Sequence, residues 1–267
     1  MTTKPQAEYR HPLATRLTHW LSFCSFFVLL GTGLQIFNGQ AYLSLTNDRD
    51  HAHTIASLTS PQDGIGIITV AGHAMRITGW PQWTADPKGK MRPQFFPAWL
   101  VIPFGQNKRA GQDLHRYFAW PFLLAGLLYA GARLLRGDLD EVFLSAADLP
   151  HLLPMLLFEL RLRRDPPPYG KYNPLQKLAY TLVVFVAAPL IVLSGFAAWS
   201  RSPLVVPLTA LFGNRDAARF WHVAAMCALL AFFAVHIAMV VTTGFLRNVR
   251  AMITGWRHGF PADITNH

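Results

Sequence analysis

The sequence predicts an all-α membrane protein, a bundle of four transmembrane helices with both termini in the cytoplasm. Of its 267 residues, 52% are hydrophobic and only 14% are charged, and the mean hydropathy is +0.24. Soluble domains are usually about one-quarter charged. Four apolar stretches are also long enough, with their flanks, to cross a hydrocarbon layer of roughly 30 Å. The chain from 1 to 267 is therefore expected to form a single membrane domain.

The apolar stretches also position the helices and the loops between them. The helices are expected at about 17–37, 114–135, 176–199 and 217–243. They leave an external loop at 38–113 and a cytoplasmic loop at 136–175. Short apolar runs and tryptophans favour an ordered, partly interfacial external loop. In the cytoplasmic loop, leucines recur with helical spacing over 148–162, which favours an interfacial helix.

Lysine and arginine set the orientation of the bundle. They cluster before the first helix, around the connection between the second and third helices, and after the fourth helix. The short loop between the third and fourth helices carries only Arg201 and Arg215. Because basic residues favour the cytoplasmic side, both termini are expected there. The same distribution explains the net charge of +10 without a nucleic-acid partner.

Four histidines sort by depth once this topology is applied. His222 and His236 lie fourteen residues apart in the fourth helix. That spacing separates them by about 40° around the helix axis and about 21 Å along it. His19 begins the first helix at the cytoplasmic face, and His115 begins the second at the external face. His115 therefore shares a level with His222, and His19 shares a level with His236.

Two histidine pairs at two membrane levels are suited to two stacked haems. Ionisable side chains within spans are costly and usually functional, and neutral imidazole is a common metal ligand. The sequence therefore predicts two b haems, with iron held by His19 and His236 in one and by His115 and His222 in the other. The alternative for each histidine alone is an interfacial or helix-bonded residue. The absence of a C-x-x-C-H motif argues against covalent haem attachment.

Further residues near these histidines are candidates for the same sites. Arg16, Arg116 and Arg219 lie within a turn of a histidine at a membrane surface, where haem propionates need cations. Arg16 and Arg116 are equally consistent with positional anchors. Small residues in the spans would leave room for a porphyrin plane: Gly31, Gly33 and Gly126.

The remaining histidines and the two cysteines are not expected to take part. Three histidines of the external loop lack a further matched ligand for a metal: His51, His53 and His73. Others are expected at the surface: His11, His151, His258 and His267. Both cysteines lie in spans, where inert thiols are expected rather than a disulfide: Cys24 and Cys227.

Several short motifs resemble a known family. They are His19-Trp20 after an arginine-containing lead, Tyr172-Asn173-x-x-Gln176 before the third helix, and Ala218-Arg219-x-x-His222 followed by His236. Together they resemble the bacterial cytochrome b561 / nickel-hydrogenase b-type cytochrome family. Within it, the chain is most similar to the thiosulfate reductase cytochrome b subunit branch. The resemblance extends over nearly the whole chain.

The resemblance implies a membrane di-haem cytochrome b of the bacterial inner membrane, an electron-transfer subunit of the respiratory chain with no catalytic residue of its own. Electrons would pass between the quinone pool and a periplasmic oxidoreductase partner of the molybdopterin type. By the same resemblance, Asn173 would contact the quinone. The alternative for Asn173 is a helix N-cap, since it precedes a proline at the first helical position.

Two other functions are compatible with the sequence. The first is a self-contained superoxide:quinone oxidoreductase of the cytochrome b561 type, which would use the same haems without a partner and would need a basic external funnel. The second is a haem-free membrane anchor or transporter. The second function leaves the matched depths of the histidines unexplained.

Overall fold

The fold is known from a computed structural model that describes residues 7–46, 54–170, 172–199 and 205–258. Some residues discussed above lie outside these ranges: His51, His53, Arg201 and His267. The elements in chain order are β1 (Ala7–Tyr9), α1 (Leu13–Asn38), β2 (Tyr42–Ser44), β3 (Thr54–Gln62), β4 (Ile65–Val70), β5 (His73–Thr78), β6 (Gln82–Ala85), β7 (Met91–Gln94), α2 (Lys108–Arg136), α3 (Leu139–Val142), α4 (Leu149–Glu159), α5 (Pro174–Tyr180), α6 (Ala188–Trp199), α7 (Val206–Leu211), α8 (Arg215–Thr242), α9 (Phe245–Thr254) and β8 (Trp256–His258).

Within the described residues, five segments are long and apolar enough to cross a membrane, where the sequence analysis predicted four. They are Leu13–Asn38, Lys108–Arg136, Leu139–Glu159, Pro174–Trp199 and Arg215–Thr242. The fourth of these is α5 and α6 joined through a π-helical stretch at Thr181–Ala187. The protein is therefore a multi-pass, mostly helical membrane protein.

The additional segment, Leu139–Glu159, lies in the predicted cytoplasmic loop and is broken into short pieces. Phe143, which follows α3, is extended with a ψ of 136°. A 3-10 turn at Ala146–Asp148 then leads into α4. The 11-residue helix α4 alone is about 17 Å long, which is well short of a hydrocarbon layer of about 30 Å. Lys177 of α5 also donates hydrogen bonds to Asp148, with Nζ 3.0 Å from Oδ1.

The prediction of an all-α protein is wrong in the external loop. There β2, β3, β4 and β5 form an antiparallel sheet in that order, and β6 pairs with β7. Ala71 and Gly72 join β4 to β5 with positive φ angles of 48° and 81°. Positive φ at both central residues defines a turn that matches the twist of paired strands. Apolar and β-branched residues in β3 and β4 are the sequence signal that the analysis missed.

The segment between β7 and α2 is held against α1. Asn38 Oδ1 accepts a hydrogen bond from Phe95 N at 2.9 Å. Gly31 O accepts one from Ile102 N at 3.1 Å. A Cβ atom at Gly31 would lie 2.7 Å from Ile102 Cγ1. The space beside Gly31 is therefore taken by the segment between β7 and α2, and the prediction that this glycine makes room for a porphyrin is wrong.

The chain divides into two compact units. Unit 1 comprises Met1–Ser22, Leu124–Phe185 and Ala228–His267, and unit 2 comprises Phe23–Leu123 and Val186–Cys227. In unit 1, β1 and β8 pair antiparallel, and the ring of Tyr9 lies 5.1 Å from that of Trp256. Unit 2 contains the four-stranded sheet and the β6–β7 hairpin.

Candidate functional site

In unit 2, His115 of α2 and His222 of α8 come together. Their ring centroids are 6.0 Å apart, with an angle of 66° between the ring planes. Imidazole nitrogens bind first-row metals at about 2 Å, so two imidazoles on opposite sides of one metal ion have centroids roughly 6 Å apart. The separation of these rings therefore fits a shared iron.

Hydrogen bonds determine which nitrogen of each imidazole is free. His222 Nδ1 lies 2.8 Å from Ile191 O, and because a carbonyl only accepts, Nδ1 carries the proton. Thr32 Oγ1 lies 2.7 Å from Val28 O, to which it donates its single proton. The same Oγ1 lies 2.8 Å from His115 Nδ1 and therefore accepts from it. Both Nε2 lone pairs are thus left for a metal.

Two glycines lie against the same imidazoles. A Cβ atom at Gly195 of α6 would lie 3.0 Å from His222 Cε1, and one at Gly33 of α1 would lie 3.6 Å from His115 Cε1. A larger residue at Gly195 would therefore displace the ring. Gly33 was predicted from the sequence, whereas Gly195 and Thr32 were not. The sequence signal for Gly195 and Thr32 is that each is a small or hydroxyl-bearing residue inside an apolar span.

In unit 1, His19 of α1 and His236 of α8 form the second pair. Their ring centroids are 6.4 Å apart, with 57° between the ring planes. His236 stacks on Phe232 at 5.7 Å, and His19 lies edge-on to Trp20 at 5.2 Å. His19 Nδ1 is buried and has no hydrogen-bond partner among the described residues. The centroid distance and this unpartnered nitrogen both fit a site completed by a group outside the chain.

The number of donors at each site also fits haem. Within the described ranges, no cluster of three or more His, Cys, Asp or Glu side chains could hold a bare metal ion. Haem needs only axial ligands from the protein, because the macrocycle supplies the others. Two imidazoles from two helices are therefore sufficient at each level.

Arg16 and Arg116, predicted to hold propionates or to act as anchors, both have protein partners. Arg16 Nη1 donates to Ile253 O at 2.6 Å. Arg116 forms an ion pair with Asp113 at 3.1 Å, and its guanidinium lies 5.5 Å from the ring centroid of Trp199. These contacts do not distinguish the two roles, and both the propionate role and the anchor role stay predictions.

Arg219, one turn before His222, is held by the start of the external segment. Its guanidinium donates to Gln40 O. It also lies 4.8 Å from the ring centroid of Tyr42 and 5.6 Å from that of Phe37. These contacts hold Arg219 against residues at and just after the end of α1, and its propionate role also stays a prediction.

Asn173 forms the helix N-cap that was the alternative to a quinone contact. Its Oδ1 accepts from Gln176 N at 2.8 Å, while Gln176 Oε1 accepts from Asn173 N at 3.1 Å. Asn173 Nδ2 makes one long contact, 3.5 Å from Glu159 Oε1. The cap therefore uses the amide oxygen and leaves the amide nitrogen with a weak protein partner.

Unit 1 contains a partly buried ion pair of Arg133, a residue that the sequence predicted only as one of the basic residues near the end of the second helix. Arg133, whose side chain is 10% exposed, pairs with Asp138 at 2.7 Å. Its Nη2 also donates to Tyr172 Oη at 3.3 Å. These bonds connect the end of α2 to the residue just before Asn173.

Paired imidazoles from different membrane helices define a class of protein, the membrane-bound b-type cytochromes. The chain belongs to the prokaryotic cytochrome b561 family, whose model matches residues 10–255. It is also similar to a protein of Azospira oryzae described as the putative protein-methionine-sulfoxide reductase subunit YedZ1. The two are 32% identical over 191 residues, which cover 71% of this chain and 90% of the relative. The predicted family is confirmed, and with it b-type haem binding and membrane electron transfer.

Proposed function

We propose that this protein is a di-haem cytochrome b that transfers electrons between membrane quinone and an external oxidoreductase subunit. The observation that carries the proposal is the occurrence of two histidine pairs, with ring centroids 6.0 and 6.4 Å apart, each drawn from two helices. Haem iron, when bound, supplies reversible one-electron chemistry. His115 and His222 would ligate the external haem, and His19 and His236 the cytoplasmic one.

The chain's own residues orient the ligands of the external site. Ile191 O and Thr32 Oγ1 accept from the Nδ1–H groups of His222 and His115, so the Nε2 lone pair of each ring would be available to hold a haem iron. Hydrogen bonds of this kind fix the ring and raise the basicity of the ligand. The absence of a side chain at Gly195 leaves room for the His222 ring, since a Cβ atom there would lie 3.0 Å from His222 Cε1.

The proposed topology has four crossings with both termini in the cytoplasm. Two observations support it. Pairing of β1 with β8 keeps the start of α1 and the end of α9 on one side, which requires an even number of crossings between them. Each of the other four long segments contributes residues to both units, whereas all residues of Leu139–Glu159 belong to unit 1. The distribution of basic residues favours the cytoplasm for the termini, and the membrane would be the bacterial inner membrane.

The quinone would bind in the cytoplasmic half, beside Asn173. The amide nitrogen of Asn173, with one contact at 3.5 Å, is available to donate to a quinone carbonyl. The buried pair of Arg133 with Asp138, and its bond to Tyr172, would hold this segment in place.

The external partner would be an oxidoreductase, of the molybdopterin type, docked on unit 2. The relative from Azospira oryzae is described as a subunit, which favours a partnered protein over a self-contained superoxide:quinone oxidoreductase. The sheet ends at β5, whose outer edge has no partner strand among the described residues. An edge of this kind is a ready site for another chain.

The test is haem stoichiometry in the purified full-length protein. The wild type should contain two haems per chain with a reduced b-type spectrum. His222→Ala and His236→Ala should each lose one haem, because each removes one of the two histidines that would hold the haem at that level. His73→Ala, in the exposed strand β5, is the matched control and should retain both haems.

The pairing is tested by the low-spin ferric signals of the two haems in electron paramagnetic resonance. His19→Ala should remove the same signal as His236→Ala, and His115→Ala the same signal as His222→Ala. Unchanged haem content in both α8 variants would rule out the proposed ligation. If His19→Ala and His222→Ala removed the same signal, the proposed pairs would be ruled out.

A further inference from the structure

The helix α9, which follows the last long membrane segment, has a surface that electron transfer does not use. Only Thr243 and Gly244 separate it from α8, so α9 lies where the chain leaves the membrane. Gly244 and Gly255 bound it, with φ angles of 106° and 87° that favour glycine. Gly244 therefore interrupts the α-helical backbone after α8, and a separate ten-residue helix begins at Phe245.

The exposed face of α9 is apolar along one side and basic along the other. Leu246 is 80% exposed and Ile253 is 58% exposed. At about 100° per residue these two lie within about 20° of each other around the axis. Arg250 lies next to them, and Arg247 lies about 60° beyond Arg250. Such a helix is suited to lie in the plane of a membrane surface, with its apolar side in the lipid.

The basic side of α9 is well placed to bind an anion. Leu246, Arg247, Arg250 and Trp256 line a shallow groove. The sequence from 243 to 258 contains no Asp or Glu. Among the described residues the guanidinium of Arg250 has no hydrogen-bond or ion-pair partner. Arg247 donates to Thr243 O, and its Nε is buried without a partner in the described part of the chain.

The same helix is attached to the start of α1 within unit 1. Arg16 Nη1 donates to Ile253 O at 2.6 Å, and Trp20 Nε1 donates to Met252 O at 3.3 Å. Both bonds use backbone carbonyls of α9, so the attachment does not occupy the arginine side chains. A ligand on the exposed face would therefore stabilise the position of α9 against the helix that carries His19.

We propose that α9 is a binding site for an anionic phospholipid. Arg247 and Arg250 hold the phosphate of the headgroup, and an acyl chain lies along Leu246 and Ile253. Trp256, at the end of the groove, lies at headgroup level, where tryptophan is favoured. Two arginines without a neighbouring acid select a negatively charged headgroup over a zwitterionic one. The site does not depend on whether the histidine pairs bind two haems.

Native mass spectrometry of the full-length protein in neutral detergent tests the proposal. Phosphatidylglycerol should bind and raise the unfolding temperature, and phosphatidylcholine of the same chain length should do so far less. The double variant Arg247→Gln/Arg250→Gln should bind phosphatidylglycerol roughly 30-fold more weakly. The double variant Arg76→Gln/Lys88→Gln removes the same charge from exposed positions in the external loop and should bind like wild type.

Three results would overturn the proposal. They are equal binding of both lipids by the wild type, wild-type affinity for phosphatidylglycerol in the α9 double variant, and an equal loss of that affinity in Arg76→Gln/Lys88→Gln. Inorganic phosphate that stabilises the protein as well as phosphatidylglycerol does would instead indicate a soluble-anion site. Haem content, measured on the same samples, reports folding. If the double variant fails to fold, the single variant Arg250→Gln, which removes an unpaired side chain, provides the same comparison.

Discussion

Replacing Thr32 with valine should raise the reduction potential of one haem and leave the other unchanged. Thr32 is fully buried, and its hydroxyl accepts from His115 Nδ1 at 2.8 Å. Valine keeps the branched shape and removes the acceptor. An imidazole with a bonded N–H is a stronger donor to iron, which favours the ferric state. Loss of that bond therefore favours the ferrous state and raises the potential.

The size of the shift follows from the energy of one hydrogen bond. A neutral hydrogen bond contributes about 0.5–1.5 kcal/mol, and a one-electron couple shifts by about 59 mV for each tenfold change. If the bond to His115 Nδ1 stabilises only the ferric state, the shift is about 20–65 mV upward. Partial stabilisation of the ferrous state makes the shift smaller, so about 65 mV is the upper bound.

The assay is a potentiometric titration of the haem absorbance in the purified full-length protein. Two one-electron transitions should be resolved, and only one should shift in Thr32→Val. Thr32→Ser keeps the hydroxyl and should retain both wild-type potentials. Equal shifts in both haems, no shift in either, or the same shift in the serine variant would refute the role assigned to this hydroxyl.

Two further predictions concern the neighbouring sites. Gly195→Ala should lower occupancy of the external haem, because its Cβ would lie 3.0 Å from His222 Cε1, whereas Gly131→Ala, with open space around it, should keep two haems per chain. Asn173→Ala should cost about 1 kcal/mol through loss of the cap, measured by thermal unfolding. Asn173→Ser keeps the cap and removes the amide nitrogen. Quinol-dependent haem reduction should therefore fall in both the alanine and the serine variant. If the serine variant kept the wild-type rate of haem reduction, the role of Asn173 would be limited to capping the helix.

Features that depend on neighbouring residues along the chain could be predicted from the sequence. The apolar stretches indicated the long helices because a fixed membrane thickness requires a fixed length of apolar chain. The fourteen-residue spacing of His222 and His236 placed both on one face because the helical rotation per residue is constant. The cap at Asn173 was also foreseeable, since its partner Gln176 lies only three residues away.

The external loop was misjudged because its structure depends on pairing between separate segments. Its strands are three to nine residues long, too short for periodicity alone to distinguish from irregular apolar runs. The two-residue turn at Ala71–Gly72 was a local signal, but it becomes decisive only once β4 and β5 pair. Gly31 was assigned to the wrong neighbour for the same reason, since Ile102 reaches it from seventy-one positions away.

The sequence by itself determined the class of the protein, the long helices and the histidines that are candidates for iron ligation. Only the tertiary structure decided which groups orient those histidines. Thr32 meets His115 across 83 positions, and Ile191 O meets His222 across 31. Helical periodicity gives the direction of a side chain around its own axis. The distance and rotation between neighbouring helices, which determine what that side chain touches, are set by packing along their whole contact.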